Sequence, residues 1–230
     1  MHLPISDKIE LNILHQNSHQ AEKNKVKFNN YNLLCLNIMS SPGAGKTKLL
    51  EITLEDLSKK FQSAVLEGDM TTNLDAARLE KLNIPVVPIT TGRACHLDAN
   101  MVSGGLKLLE KKINPDLLDI LLVENVGNLV CPAEFEIGEH FKVALLSITE
   151  GEDKPLKYPI MFREADLILI TKVDLLPHLN FDIKELKSNI ASTNPKADVI
   201  EISSITKSGF DLWQDWISKK ILKFKNNFID

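Results

Sequence analysis

Between an apolar run, Leu33 to Met39, and a stretch with helical periodicity stands the string S-S-P-G-A-G-K-T, Ser40 to Thr47. Few short strings constrain a fold as strongly, because this one demands a buried strand, a tight small-residue loop and a helix in that order. Leu49, Leu50, Ile52, Leu54 and Leu57 supply the helical face that must follow. In that setting the backbone N–H groups of Gly43, Ala44, Gly45 and Lys46 converge on a phosphate at a positively polarised helix start. Lys46 reaches the β- and γ-phosphates, and the Thr47 hydroxyl is placed to ligate Mg²⁺. Ser40 stands where the usual pattern opens on glycine. A glycine-rich turn entering a helix is the plain alternative; strand, loop and helix together favour a nucleotide phosphate loop.

A chain of 230 residues suits one α/β domain with a sizeable core. The formal net charge of −4, with no basic stripe, argues against nucleic acid as the main partner. No stretch is long and apolar enough to span a bilayer, so no membrane insertion is expected. The first residues lack a basic-then-apolar leader pattern, and a cytoplasmic location is expected. Residues 1–31 are polar and read as a short amphipathic helix with a solvated linker from Glu22 to Asn30. Residues 32–230 read as the nucleotide-binding domain with an embedded metal site. Short apolar runs alternating with helical patterns predict a doubly wound, mainly parallel sheet with helices on both faces.

Carboxylates at the carboxyl ends of parallel strands lie where such folds bind ligands. Ser63–Leu66 is a strand leading to Asp69, which suits the Mg²⁺ shell or the orientation of an attacking water; a turn aspartate is the alternative. Asp75 opens the next helix and is either a second acid for Mg²⁺ or a favourable helix-start charge. After a third strand, Pro85–Ile89, come adjacent Cys95 and His96, soft ligands that suit Zn²⁺ or Ni²⁺ better than Mg²⁺. A cysteine is as often a small apolar residue, so this pair needs a partner. Leu117–Val123 reads as a central strand delivering Glu124-Asn125-Val126-Gly127, similar to the third nucleotide-binding motif of GTPases. Glu124 then contacts the Mg²⁺ shell and the Gly127 N–H the γ-phosphate. Cys131 stands four residues beyond Gly127. If it joins Cys95 and His96 on one metal ion, that ion is coupled to the γ-phosphate sensor by one short segment.

Leu167–Ile170 ends in Thr171-Lys172-Val173-Asp174, which resembles the base-reading motif of GTPases, with Thr in place of Asn. The Asp174 carboxylate accepts from guanine N1–H and N2–H₂, whereas adenine leaves it unpaired. The Lys172 stem covers the ring face. Thr171 is expected to shorten or lose the usual contact to the base edge and phosphate loop. Ser203 and Ser204 stand where GTPases close over the guanine O6. Gly151–Pro159 reads as a polar loop, and Trp213, Trp216, Ile217 and Ile221 read as the core stripe of a last helix.

Three longer strings carry a closer resemblance: T-G-R-A-C-H-L-D-A-N-M-V at Thr91 to Val102, E-N-V-G-N-L-V-C-P-A at Glu124 to Ala133, and T-E-G-E-D-K-P-L-K-Y-P at Thr149 to Pro159. With the nucleotide motifs, they make residues from about Leu33 onward similar to the HypB family of hydrogenase nickel-incorporation GTPases, within the SIMIBI class of P-loop GTPases. The family commonly has serine at the position of Ser40. The resemblance implies a GTP hydrolase that cycles between GTP and GDP with Mg²⁺, dimerises with GTP and delivers Ni²⁺ to a hydrogenase large subunit. It further implies the accessory protein HypA as a partner and Zn²⁺ as a competing ion. The metal site it implies is Cys95, His96 and Cys131, shared between two subunits, with Asn100 where some relatives have histidine. Leu175 and Leu179 match positions implicated in dimer contact; core packing is the other explanation. A urease accessory GTPase is the neighbouring alternative, although it carries its ligands in a Cys-Pro-His string. A nucleotide-gated scaffold with negligible turnover is another.

Overall fold

The computed structural model describes residues 5–71 and 74–226, with side chains from position 12 onward. The chain runs α1 (Ile5–Asn30), β1 (Leu34–Ser40), α2 (Lys46–Leu57), β2 (Ser63–Asp69), α3 (Leu74–Glu80), β3 (Val86–Thr90), α4 (Ala99–Lys112) and β4 (Ile120–Glu124). It continues through α5 (Cys131–Glu134), β5 (Phe141–Ser147), α6 (Lys154–Lys157), α7 (Pro159–Glu164), β6 (Leu167–Thr171), α8 (Ile183–Thr193), β7 (Asp198–Ile202) and α9 (Phe210–Asn226). Among the described residues, seven strands form one sheet in the order β3-β2-β4-β1-β5-β6-β7, and every pairing is parallel. This is the doubly wound P-loop fold that the sequence predicts.

Both faces of the sheet are covered, which is why its inner strands are apolar throughout. Alternation sorts the side chains: Leu34, Leu36 and Ile38 of β1 join Leu50, Leu54, Trp213 and Ile217 on the face under α2, α3 and α9. Cys35 turns the other way and packs with Phe28, Val102, Leu106 and Leu109 beneath α1 and α4. Farther along that second face, Met39 meets Met161, Phe162, Leu186 and Ile190 of α7 and α8. The stripe of α9 is core, as predicted, with the Trp213 and Trp216 indole N–H groups donating to Thr53 Oγ1 and Asp198 Oδ2, both at 2.8 Å. Pro88 is tolerated because β3 lies at the edge of the sheet.

Three stretches differ from expectation. Glu22–Asn30 is not a solvated linker but the second half of α1. Its inward residues are Asn17, Ala21, Asn24 and Phe28, all buried. Half of that stripe is polar, so its periodicity is faint by hydrophobicity alone. The Asn17 side chain accepts from the Ala99 N–H (2.9 Å) and donates to the Glu136 carbonyl (2.7 Å). Asn24 Nδ2 donates to the Ala99 and Ile137 carbonyls at 2.8 and 3.0 Å. Next, Leu117 is exposed in a 3₁₀ turn, Pro115–Leu117, that the Asn114 side chain caps, so β4 begins only at Ile120. Finally, Gly151–Pro159 contains α6 and leads into α7, both of which carry proline in the first turn, where its missing N–H costs nothing.

Because Asn24 satisfies two buried carbonyls, Asn24→Ala should lower unfolding free energy by about 1–3 kcal/mol. The solvent-facing Lys23→Ala should stay within about 0.5 kcal/mol. Urea denaturation of both variants measures the difference.

Candidate nucleotide site and metal centre

The phosphate loop leaves β1 beside the strand it pairs with, β4, so one cleft of about 430 Å³ gathers residues from both. Gly43 and Gly45 hold positive φ values of 75° and 100°, which glycine alone adopts without strain. Lys46 is buried, and its ammonium donates to Ser40 Oγ at 2.9 Å. Serine in the first position of the loop therefore has a use, as a rest for the lysine. Burial lowers the Lys46 pKa, and nearby carboxylates, Glu124 first, oppose that shift. The Thr47 hydroxyl donates to Glu124 Oε1 at 2.8 Å. A Cβ on Gly127 would lie 2.8 Å from Pro42 Cα, so only glycine lets this segment touch the phosphate loop.

Asp69 and Asp75 both line the cleft. Asp69 Oδ1 accepts from the Met70 N–H at 2.5 Å, and Asp75 pairs with Arg78 at 2.9 Å. Two lining residues escaped the sequence reading. Arg78 is gripped by both Glu51 oxygens at 2.9 and 3.0 Å as well as by Asp75. Glu67, two residues before Asp69, is buried and registered opposite Glu124 across β2 and β4. Burial, then the neighbouring Glu124 charge, pushes the Glu67 carboxyl up to about 8. Burial likewise raises Glu124 to about 7, with Lys46 and the Thr47 hydroxyl opposing it. The signal for Glu67 was a charged residue two positions after Val65, on the same buried face of β2; the signal for Arg78 was its spacing of three from Asp75 on one helix.

Among the described residues, Glu67 Oε2 and Glu124 Oε2 are buried without hydrogen-bond partners. Hard carboxyl oxygens left unpaired beside a threonine hydroxyl fit Mg²⁺, which takes oxygen ligands and whose charge would favour their ionised forms.

At the base-reading motif, Thr171 keeps a contact to the phosphate loop: its hydroxyl donates to the Ala44 carbonyl at 2.8 Å. Lys172 adopts a left-handed φ of 61° and its ammonium donates to the Gly43 carbonyl at 2.8 Å. Both residues therefore tie the base side of the site to the phosphate loop. Ser203 Oγ donates to Asp174 Oδ1 at 2.5 Å, fixing the carboxylate, and accepts from the Ile205 and Thr206 N–H groups. Ser204 is half-buried alongside. Leu175 packs against the α7–α8 core, whereas Leu179 is exposed.

Cys95, His96 and Cys131 converge, with ligand atoms all within 4.8 Å of one another. The two Sγ atoms are 3.2 Å apart, and Cys95 Sγ lies 3.9 Å from His96 Nδ1. Burial lowers the His96 pKa, which favours the neutral, metal-binding imidazole, and the ring packs on Phe135 at 4.1 Å. Burial and the adjacent Cys95 thiol raise Cys131. Two soft sulfurs and one imidazole suit Ni²⁺ or Zn²⁺. Asn128 braces the site, donating to the Cys95 carbonyl at 3.4 Å and accepting from the Val130 N–H at 2.9 Å. Cys35, by contrast, is a buried core thiol.

The parallel sheet and its phosphate loop define a P-loop nucleotide-binding protein. Residues 34–201 match the family model of the CobW/HypB/UreG nucleotide-binding domain. The chain is 48% identical over 214 residues to the hydrogenase maturation factor HypB of Azotobacter vinelandii, covering 93% of this chain and 69% of that protein. It is 47% identical over 209 residues to the same factor of Escherichia coli K12, covering 91% and 71%. The crystal structure of HypB from Helicobacter pylori in complex with nickel superposes with a TM-score of 0.86 at 39% identity, covering 90% of this chain and 96% of that one. The chain belongs to the CobW/HypB/UreG family and, within it, to the HypB hydrogenase maturation factors.

The raised carboxyl pKa of Glu67 has a checkable sign. The fold favours its protonated form, so the stabilisation is complete below the ordinary value of 4.5 and is lost as pH rises to about 8. In protein free of Mg²⁺ and nucleotide, Glu67→Gln should leave stability unchanged near pH 4.5. It should raise the denaturation midpoint at pH 8 and above, as thermal unfolding across that window would record.

Proposed function

We propose that this protein hydrolyses GTP in a Mg²⁺-dependent reaction and uses the cycle to hold and release Ni²⁺ during nickel–iron hydrogenase maturation. The observation that carries the reading is the gathering of Cys95, His96 and Cys131 on loops that adjoin the nucleotide cleft. Guanine is selected by Asp174, already held by Ser203 with its free oxygen able to accept from the base. A site built to receive N–H donors rejects a base lacking them by roughly 10⁴-fold.

In the reaction, Mg²⁺ supplies charge neutralisation on the transferring phosphoryl group. Thr47 and Glu124 would hold it, with Asp69, Asp75 and Glu67 in reach of its water shell. Lys46 releases Ser40 and bonds the phosphate oxygens; the Gly127 N–H bonds the γ-phosphate, and Asp69 orients the attacking water. Arg78 is already engaged by Glu51 and Asp75, so slow intrinsic turnover is expected.

Nickel is the cargo. Cys95, His96 and Cys131 provide three donors, and a second copy of the chain, recruited with GTP, completes the shell; Zn²⁺ competes for the same sulfurs. HypA and the hydrogenase large subunit are the proposed donor and acceptor of the ion.

Multiple-turnover phosphate release tests the enzyme reading. Lys46→Ala should lower the rate by about 10²-fold or more, as loss of a phosphate-directed charge does. Undetectable turnover in the native chain would leave a nucleotide-gated scaffold instead. Nickel titration followed by thiolate-to-nickel absorbance, with GDP and then a non-hydrolysable GTP analogue, tests the cargo. Affinity or stoichiometry should change with nucleotide, and Cys131→Ala should abolish the change.

A further inference from the structure

One buried polar chain runs from the nucleotide cleft to the metal-bearing loops, and neither site's chemistry accounts for it. Asn125 follows Glu124 at the tip of β4 and is fully buried. Its Oδ1 accepts from the Leu97 N–H and from the Val126 N–H, both at 2.9 Å. Its Nδ2 donates to Asn37 Oδ1 at 3.1 Å. Asn37 Nδ2 in turn donates to Glu139 Oε1 at 3.3 Å, and Glu139 Oε2 accepts from the Ile137 N–H at 2.8 Å. The orientation of each amide is forced, because backbone N–H groups can only donate at one end and a carboxylate can only accept at the other.

The two ends of this chain are informative. Leu97 follows His96 directly, and Ile137 stands just past α5, which begins on Cys131. The Cys95–His96 loop is therefore fastened to Asn125 directly, through Leu97, and the segment after Cys131 only through Asn37 and Glu139. At the nucleotide side, Gly127 touches Pro42 of the phosphate loop. A rearrangement of Glu124–Gly127 about a γ-phosphate must carry the Asn125 carboxamide with it or leave the Leu97 N–H buried and unpaired.

We propose that Asn125 is a positioning residue that transmits the nucleotide state to the Cys95–His96 half of the metal site through its bond to the Leu97 N–H. The inference rests on the reading above, in which nucleotide and metal are coupled, and it assigns that coupling to a named contact. The covalent path from Gly127 to Cys131 moves one donor only; Asn125 moves the other two.

The test compares Ni²⁺ dissociation constants of the full chain with GDP and with a non-hydrolysable GTP analogue. The native ratio should differ from one by about fivefold or more, the usual range of a coupled pair of sites. Asn125→Ala should bring it within about twofold of one, whereas Asn125→Asp, whose buried carboxyl keeps an acceptor for both N–H groups and, protonated, a donor to Asn37 Oδ1, should retain it above about threefold. An undiminished ratio in Asn125→Ala overturns the assignment and leaves the coupled reading standing. A native ratio of one removes both. Amide hydrogen exchange at Leu97 in the native chain decides the matter if the variants do not fold. Protection that changes between the two nucleotides is expected, and identical protection overturns the proposal.

Discussion

Parallel pairing of Ile38 with Glu124 sets the tip of β4 beside the strand that feeds the phosphate loop, and the geometry of both sites follows from that register. The Asn125 N–H extends the ladder by one bond, to the Ile38 carbonyl at 3.0 Å. A slip of one residue would turn Glu124 to the other face, away from Thr47, and would send Asn125 into the α2 side of the core. The body of β4 is apolar on both faces, so what resists the slip is the tip, where Glu124 would lose Thr47 and Asn125 would lose Leu97 and Asn37. The polar tip of β4 thus fixes the register of its apolar body.

Electrostatics give the cleft its preference for a cation. Glu67 and Glu124 occupy paired positions on adjacent strands, so their carboxylates emerge on the same side of the sheet. Lys46 is the buried ammonium nearby, and in this state it rests on Ser40 rather than on either acid. Without further positive charge, burial drives both acids toward their neutral forms. A divalent cation reverses that balance, since two carboxylates brought together at a cost then become ligands. The same burial that raises both acids thus makes them the fitting ligands for the Mg²⁺ proposed above.

Much of this was legible in the sequence because it rests on local patterns. Strand, loop and helix around Gly43–Thr47 follow from apolar runs and small residues, and the sheet follows from the repetition of short buried strands. Cys95, His96 and Cys131 were placed by motif, and their convergence is three-dimensional only in its last few ångströms. The remainder was hidden where polar residues occupy buried positions. Asn17 and Asn24 interrupt the stripe of α1, so its continuation past Glu22 read as a linker although both side chains are pinned to backbone on other elements. Glu67 read as the charged end of a strand, because its partner Glu124 is 57 positions away and only strand order makes them neighbours. Thr171 read as a defect in a motif, whereas its hydroxyl reaches the Ala44 carbonyl.

These asparagines share a reason. The segments around Leu97 and Ile137 belong to no strand or long helix, and their backbone groups are buried. Such groups need partners, and apolar side chains at positions 17, 24, 37 and 125 would supply burial without them. Asparagine offers a donor and an acceptor on one short, stiff side chain, so it can satisfy two separate segments and set their spacing. Helix α1 does this from outside the sheet, through Ala99 and Ile137. Asn37 and Asn125 do it from within the sheet and just past the end of β4, one step from Glu124 in the cleft. The loops that carry Cys95, His96 and Cys131 are thereby held between a helix outside the sheet and the tip of β4, and the coupling proposed above requires only that the second of these contacts change with nucleotide.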